Sequence, residues 1–148
     1  MNLLDVITLN ACYGDALDRF DLVAWQALFT PDAMYRAQAR ENFDRELPLA
    51  AIYLDGHGMM TDRITGIEKT LVFAPRFTRH IIGLPKIEGA SSRTSFIIVQ
   101  TVTTGLPEIL ATGCYHDTLA STSDGIRLAA RNAVYDNALI PNSLVYPL

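Results

Sequence analysis

Apolar residues recur at Leu9, Tyr13, Ala16, Leu17 and Phe20, the spacing of one helical face, and predict a helix over Leu3–Phe20. Asp21 is placed to cap a second, short helix over Leu22–Phe29, with Trp25, Leu28 and Phe29 turned inward. Thr30-Pro31-Asp32 should end it, because Pro31 has no backbone N–H to give. From Ala33 to Arg40 the period changes: Met34, Arg36, Gln38 and Arg40 alternate with Ala33, Tyr35, Ala37 and Ala39, which predicts a strand. Glu41–Glu46 reads as a polar loop and Leu47–Leu54 as a short strand. Gly56–Gly58 breaks that strand, and Thr61–Leu71 reads as a third helix capped near Thr61. Thr78–Leu84 is expected as a strand stopped by Pro85, and Glu88–Arg93 as a loop. Long strands then follow over Thr94–Thr103, Pro107–Ser121 and Ile126–Asp136, separated by turns at Gly105 and Ser123-Asp124-Gly125. Helices early and strands late define an α+β fold, with a mainly antiparallel sheet wrapped around three helices.

The 148 residues fit one domain over 1–148. Charged residues make up 19%, low for a soluble domain, so part of the surface is expected to be covered by other subunits. The net charge is -4, and the nearest approach to a basic run, Arg36, Arg40 and Arg45, is broken by Glu41 and Asp44. Nucleic acid is not an expected partner. No apolar stretch is long enough to span a membrane, and Met1–Asp5 lacks the positive start of a secretory leader. Cys12 and Cys114 are then expected to be reduced and buried in a cytoplasmic protein.

Few residues suggest chemistry. His57, His80 and His116 lie too far apart for a helical metal-binding pair. Cys114-Tyr115-His116 has the form of half a Rieske iron–sulfur site, but no cysteine or histidine follows to complete it. No metal or cofactor is expected in this chain. Nucleophile elbows are absent, and Gly56-His57-Gly58 lacks the rest of a phosphate loop. General acid–base work would need a carboxylate with an imidazole or phenol, for which Asp62, His80, Tyr35, Tyr53 and Asp117 are the candidates. The simpler reading puts Asp62 in the first turn of its helix, ion-paired with Arg63, and makes His80 structural. Asn137–Leu148 contains no charged side chain. Such a segment should lie against its own core and a neighbouring subunit, with Ile140, Leu144, Val145, Tyr146 and Leu148 as interface candidates.

Phe29-Thr30-Pro31-Asp32-Ala33 with Tyr35-Arg36, then Thr61-Asp62-Arg63-Ile64, Arg79-His80-Ile81-Ile82-Gly83-Leu84-Pro85 and Val134-Tyr135-Asp136 resemble segments of the β subunits of ring-hydroxylating dioxygenases. The resemblance runs from Leu9 to Leu148, and within that family is nearest to small subunits of aromatic-carboxylate oxygenases. It implies the cone-shaped nuclear-transport-factor-2-like (cystatin-like) fold. It also implies a non-catalytic subunit that forms a homotrimer beneath an iron-bearing α subunit, in an α3β3 complex. The α partner would carry a Rieske [2Fe–2S] cluster, a mononuclear non-haem iron and most of the substrate pocket, so the resemblance transfers no catalytic residue. The competing reading is a free-standing isomerase, dehydratase or cyclase on the same cone, using Asp62 or His80 with a tyrosine such as Tyr35.

Overall fold

The computed structural model describes residues 2–70, 74–140 and 143–148. The helix α1 (Leu3–Asp18) opens with the Asn2 side chain accepting from the Leu4 N–H at 2.8 Å, which satisfies one of the helix's unpaired donors. It closes at Phe20, whose φ of 56° turns the chain so that the Asp21 N–H reaches back to the Ala16 carbonyl. A left-handed phenylalanine costs roughly 1–2 kcal/mol. Asp21 then caps α2 (Leu22–Gln26) through the Ala24 N–H, as its position suggested.

The strand β1 (Phe29–Ala39) begins where a helix end was expected. Thr30-Pro31-Asp32 lies inside it, in an irregularity between the pairs Phe29/Leu128 and Met34/Ala130. Pro31 breaks helical bonding as predicted, but a bulged strand tolerates the missing N–H equally well. The expected Glu41–Glu46 loop is mostly a single helical turn, α3 (Arg40–Asp44), closed by an Arg45–Glu41 pair at 3.1 Å. Of the predicted Leu47–Leu54 strand only β2 (Ile52–Asp55) pairs, with β1. The next helix, α4 (Gly56–Thr70), starts five residues before Thr61. Gly56, at φ 75°, makes the sharp exit from β2, so the glycines open the helix rather than precede it. Leu71, the predicted last residue of that helix, lies outside the described residues. Counting α3, there are four helices among the described residues, not three.

The remaining strands are β3 (Arg76–Ile82), β4 (Lys86–Glu88), β5 (Ser91–Val102), β6 (Glu108–Thr122) and β7 (Gly125–Tyr135). The predicted Glu88–Arg93 loop is instead the tight β4–β5 hairpin, turning at Gly89 with φ 62°. The main sheet runs β2-β1-β7-β6-β5-β3, with β4 added beside β5. Only the β1–β7 pair is parallel among the described strands. That pairing brings the chain's first strand beside its last, with α1 across β3 and β7 and α4 across β1 and β2. Trp25, Phe29, Tyr35 and Phe96 lie in the resulting core. Cys12 does not: it sits off the α1 stripe and is exposed, while Cys114 is partly covered.

Candidate functional site

Two neighbouring strands place an acid and a base inside the cone. Asp117 on β6 and Arg131 on β7 are cross-strand partners whose side chains are both fully enclosed. The guanidinium donates to both carboxylate oxygens at 2.8 Å, and its Nη2 also reaches the Asn10 side-chain oxygen at 2.6 Å. Its Cζ lies 4.1 Å from the ring centres of both Tyr13 and Tyr115, so the cation is held between two aromatic faces. Ser92 adds a hydrogen bond to Asp117 at 3.2 Å. Burial alone would lower the Arg131 pKa; the Asp117 charge and its hydrogen bonds outweigh burial and hold it above its ordinary value. This is a closed ion pair with its own partners, not a group poised to exchange protons.

His80, on β3, faces α1. Its Nδ1 lies 2.6 Å from an Asp18 carboxylate oxygen, and its backbone N–H donates to the same carboxylate at 3.1 and 3.2 Å. Helix and strand meet here through Gly14, where an added Cβ would stand 3.2 Å from the His80 Cβ. Burial would raise the Asp18 pKa; hydrogen bonds from the His80 ring and backbone, the attraction of that ring and the Thr78 hydroxyl together bring it below its ordinary value. A folded-state pKa below the unfolded one contributes stability above the ordinary aspartate value, about 3.9, which is lost as pH falls through the lowered value. Asp18→Asn should therefore lower stability at neutral pH and flatten the acid limb. Urea midpoints measured from about pH 6 down to about pH 2 test this; parallel curves for the two proteins would count against it.

The other candidates do not join this pair. Asp62 is exposed on α4, in its second turn rather than its first, because the helix begins earlier than expected. Its neighbour Arg63 donates to the backbone oxygens of Leu144 and Val145, at 3.3 and 2.6 Å. Tyr35 is buried, and its hydroxyl is engaged by Leu148. Tyr53 is exposed beneath the Arg36 guanidinium. Cys114 and His116 share a partly covered face of β6, with the His116 ring 4.6 Å from Phe43. Burial, then Arg93, lowers the His116 pKa. Among the described residues no group of three His, Cys, Asp or Glu side chains comes together to hold a metal ion.

Asn10, Asp18 and Arg131 were not singled out from the sequence. A signal for two of them exists: Asn10, Gly14 and Asp18 recur every four residues and form a second line on α1 beside its apolar stripe. Arg131 gave none, since an arginine in an alternating strand is ordinarily a solvent-facing one.

The C-terminal segment closes the interior. Leu148 is buried, and its backbone oxygen accepts from Tyr13 at 2.6 Å and Tyr35 at 3.3 Å, while its N–H donates to the Tyr35 hydroxyl at 2.8 Å. Behind it remains a cavity of only about 30 Å³, close to one water's share of liquid volume. Leu144, Val145, Tyr146 and Ile140 are half-buried.

The molecule is thus a cone-like α+β domain whose interior is taken up by the Asp117–Arg131 pair and Leu148. Residues 14–142 match the protein family described as ring hydroxylating beta subunit, and the chain belongs to that family, whose members are subunits of oxidoreductases. It is 29% identical over 153 residues to subunit beta 2 of the terminal oxygenase component of terephthalate 1,2-dioxygenase from Comamonas sp., covering 100% of this chain and 99% of that one. It is 26% identical over 149 residues to the anthranilate 1,2-dioxygenase small subunit of Burkholderia cepacia, covering 97% and 92%. The crystal structure of the β subunit of a proposed aromatic-ring-hydroxylating dioxygenase from Novosphingobium aromaticivorans superposes with a TM-score of 0.88 at 34% identity, covering 99% and 96%. These likenesses favour the small-subunit reading over the free-standing isomerase.

Proposed function

We propose that this chain, as a single domain, is the non-catalytic scaffold of a cytoplasmic oxygenase that hydroxylates an aromatic carboxylate. The observation that carries the non-catalytic role is how the centre is occupied: Asp117, Arg131 and Asn10 pair with one another, Leu148 fills the space between Tyr13 and Tyr35, and about 30 Å³ is left behind it. An aromatic acid bound behind Leu148 would need a cavity roughly ten times larger, and in the hollow of about 600 Å³ between α1 and β3 the Asp18 carboxylate and the His80 ring are already paired with each other. The carboxylate substrate class rests on the terephthalate and anthranilate relatives.

The oxygen chemistry then belongs to a large α subunit bearing a Rieske [2Fe–2S] cluster and a mononuclear iron, which this chain supports as a homotrimer in an α3β3 assembly. Exposed apolar side chains give such contacts a surface. Phe77, Ile81, Ile97 and Ile109 stand on the outer face of β3, β5 and β6, between 40% and 67% exposed. Ile140, Leu144, Val145 and Tyr146 offer a second strip, which Leu148 anchors from inside.

Co-expression with a candidate large subunit, a chain that carries both halves of a Rieske site, tests this. The two chains should purify together, with iron and substrate-dependent oxygen uptake present only when the large subunit is. A small chain that purifies alone with stoichiometric iron, or oxidises aromatic acids by itself, would refute the scaffold role.

A further inference from the structure

The segment Ser143–Leu148 is held in a manner unlike the rest of the chain. It belongs to no strand, and Tyr13, Tyr35 and Arg63 hold its backbone by their side chains. The Tyr35 hydroxyl accepts from the Leu148 N–H and donates to the Leu148 oxygen, the two groups that flank its Cα. Tyr13 binds that oxygen from a second direction, and Arg63 takes the backbone oxygens of Leu144 and Val145. The Leu148 side chain fills the apolar floor, beside Leu17 and Ile98. His80 and Thr78 line the residual cavity, and among the described residues the buried His80 Nε2 has no hydrogen-bond partner.

This is the anatomy of a small-molecule site: an apolar floor, a few convergent polar groups and unspent hydrogen-bonding capacity. Its present occupant is the protein itself. We propose that Ser143–Leu148 is a displaceable internal ligand, and that the core behind it binds a small N-acylated amino-acid amide with a branched apolar side chain. The Tyr35 hydroxyl reads the N–H and the carbonyl oxygen on either side of the ligand's Cα, Tyr13 adds a donor to that oxygen, and the floor selects a side chain of leucine size. The buried tyrosines cannot lose the segment without gaining something in exchange, because unpaired buried hydroxyls are costly. Segment and ligand therefore compete for one site, and the apparent affinity of the ligand is set by the fraction of molecules in which the segment is out. The inference goes beyond the scaffold role and does not depend on it.

The test uses the full-length, ¹⁵N-labelled small chain, without its partner, titrated with N-acetyl-leucinamide, and with N-acetyl-glycinamide as the probe lacking the branched group. The leucine probe should give saturable shifts at Leu17, Thr78 and Ile98, together with faster hydrogen exchange at the amides of Val145 and Leu148. The glycine probe should give neither. Arg63→Ala removes the two bonds that hold the segment without touching the floor, and should tighten the apparent Kd about tenfold. Leu148→Ala, which weakens the internal ligand at its apolar end, should act in the same direction and stands in if the Arg63 variant does not fold. Adding Tyr35→Phe to the tighter-binding variant should reverse most of the gain. Absence of saturable shifts in every variant would overturn the proposal. Binding that leaves exchange of the segment unchanged, or an affinity that neither Arg63→Ala nor Leu148→Ala improves, would also overturn it.

Discussion

Replacing Arg131 by methionine is expected to cost about 3–5 kcal/mol of folding stability, the range for breaking a buried ion pair from one side. The cost comes less from the lost attraction than from what stays behind. Asp117 remains fully enclosed with its countercharge gone, and the Asn10 side-chain oxygen loses its donor. Tyr13 and Tyr115 also lose the cation between their rings. Urea unfolding should show the loss as a lower midpoint. The deficit should shrink toward acidic pH, where the abandoned carboxyl can take up a proton. The double variant Asp117→Leu with Arg131→Met should recover about half of it, since two apolar groups of similar volume leave no buried charge. A single variant as stable as the parent would mean that the pair carries no structural role.

Gly113→Ala should be nearly as damaging although it adds one methyl group. A Cβ at Gly113 would run into the Val134 backbone oxygen and would stand 2.9 Å from both the Tyr135 Cα and the Phe96 Cζ. Gly113 is opposite Phe96 on one side and Tyr135 on the other, so it fills the space where three central strands come together. The obstruction is backbone on a paired strand, which cannot rotate aside as a side chain can. Phe96 is itself stacked on Tyr115 with ring centres 4.3 Å apart. Overpacking a core typically costs 1–3 kcal/mol, and a backbone clash belongs at or above the top of that range, about 3 kcal/mol. Gly66→Ala on α4, where nothing lies within 4 Å, is the matched control and should instead stabilise by about 0.5–1 kcal/mol. Similar thermal unfolding curves for the two variants would contradict this account of Gly113.

Local periodicity determined much of this protein. The α1 stripe, the Asp21 cap and the long strands β5, β6 and β7 follow from side-chain spacing, because each such element is built from neighbours in sequence and buries one face. Spacing is ambiguous where two backbone geometries satisfy the same residues. Pro31 stops a helix but also sits in a bulged strand, and Gly56 and Gly58 interrupt a strand but also start a helix. The segment motifs of the ring-hydroxylating β subunits were legible for the same reason, being runs of adjacent residues.

What the sequence could not determine was which distant side chains meet. Asp117 and Arg131 are partners only because the β6–β7 register sets them opposite each other, and a slip of β7 by one residue would turn Arg131 to the outer face. Asp18 finds His80 only because Gly14 lets α1 approach β3 closely. Leu148 was legible as apolar and in need of cover, but its place between Tyr13 and Tyr35 depends on helix, sheet and C-terminal segment converging inside one cone. Spacing along the chain governs which face a residue takes; only the packed register governs what it finds there, and the buried pairs of this interior are made entirely by the second.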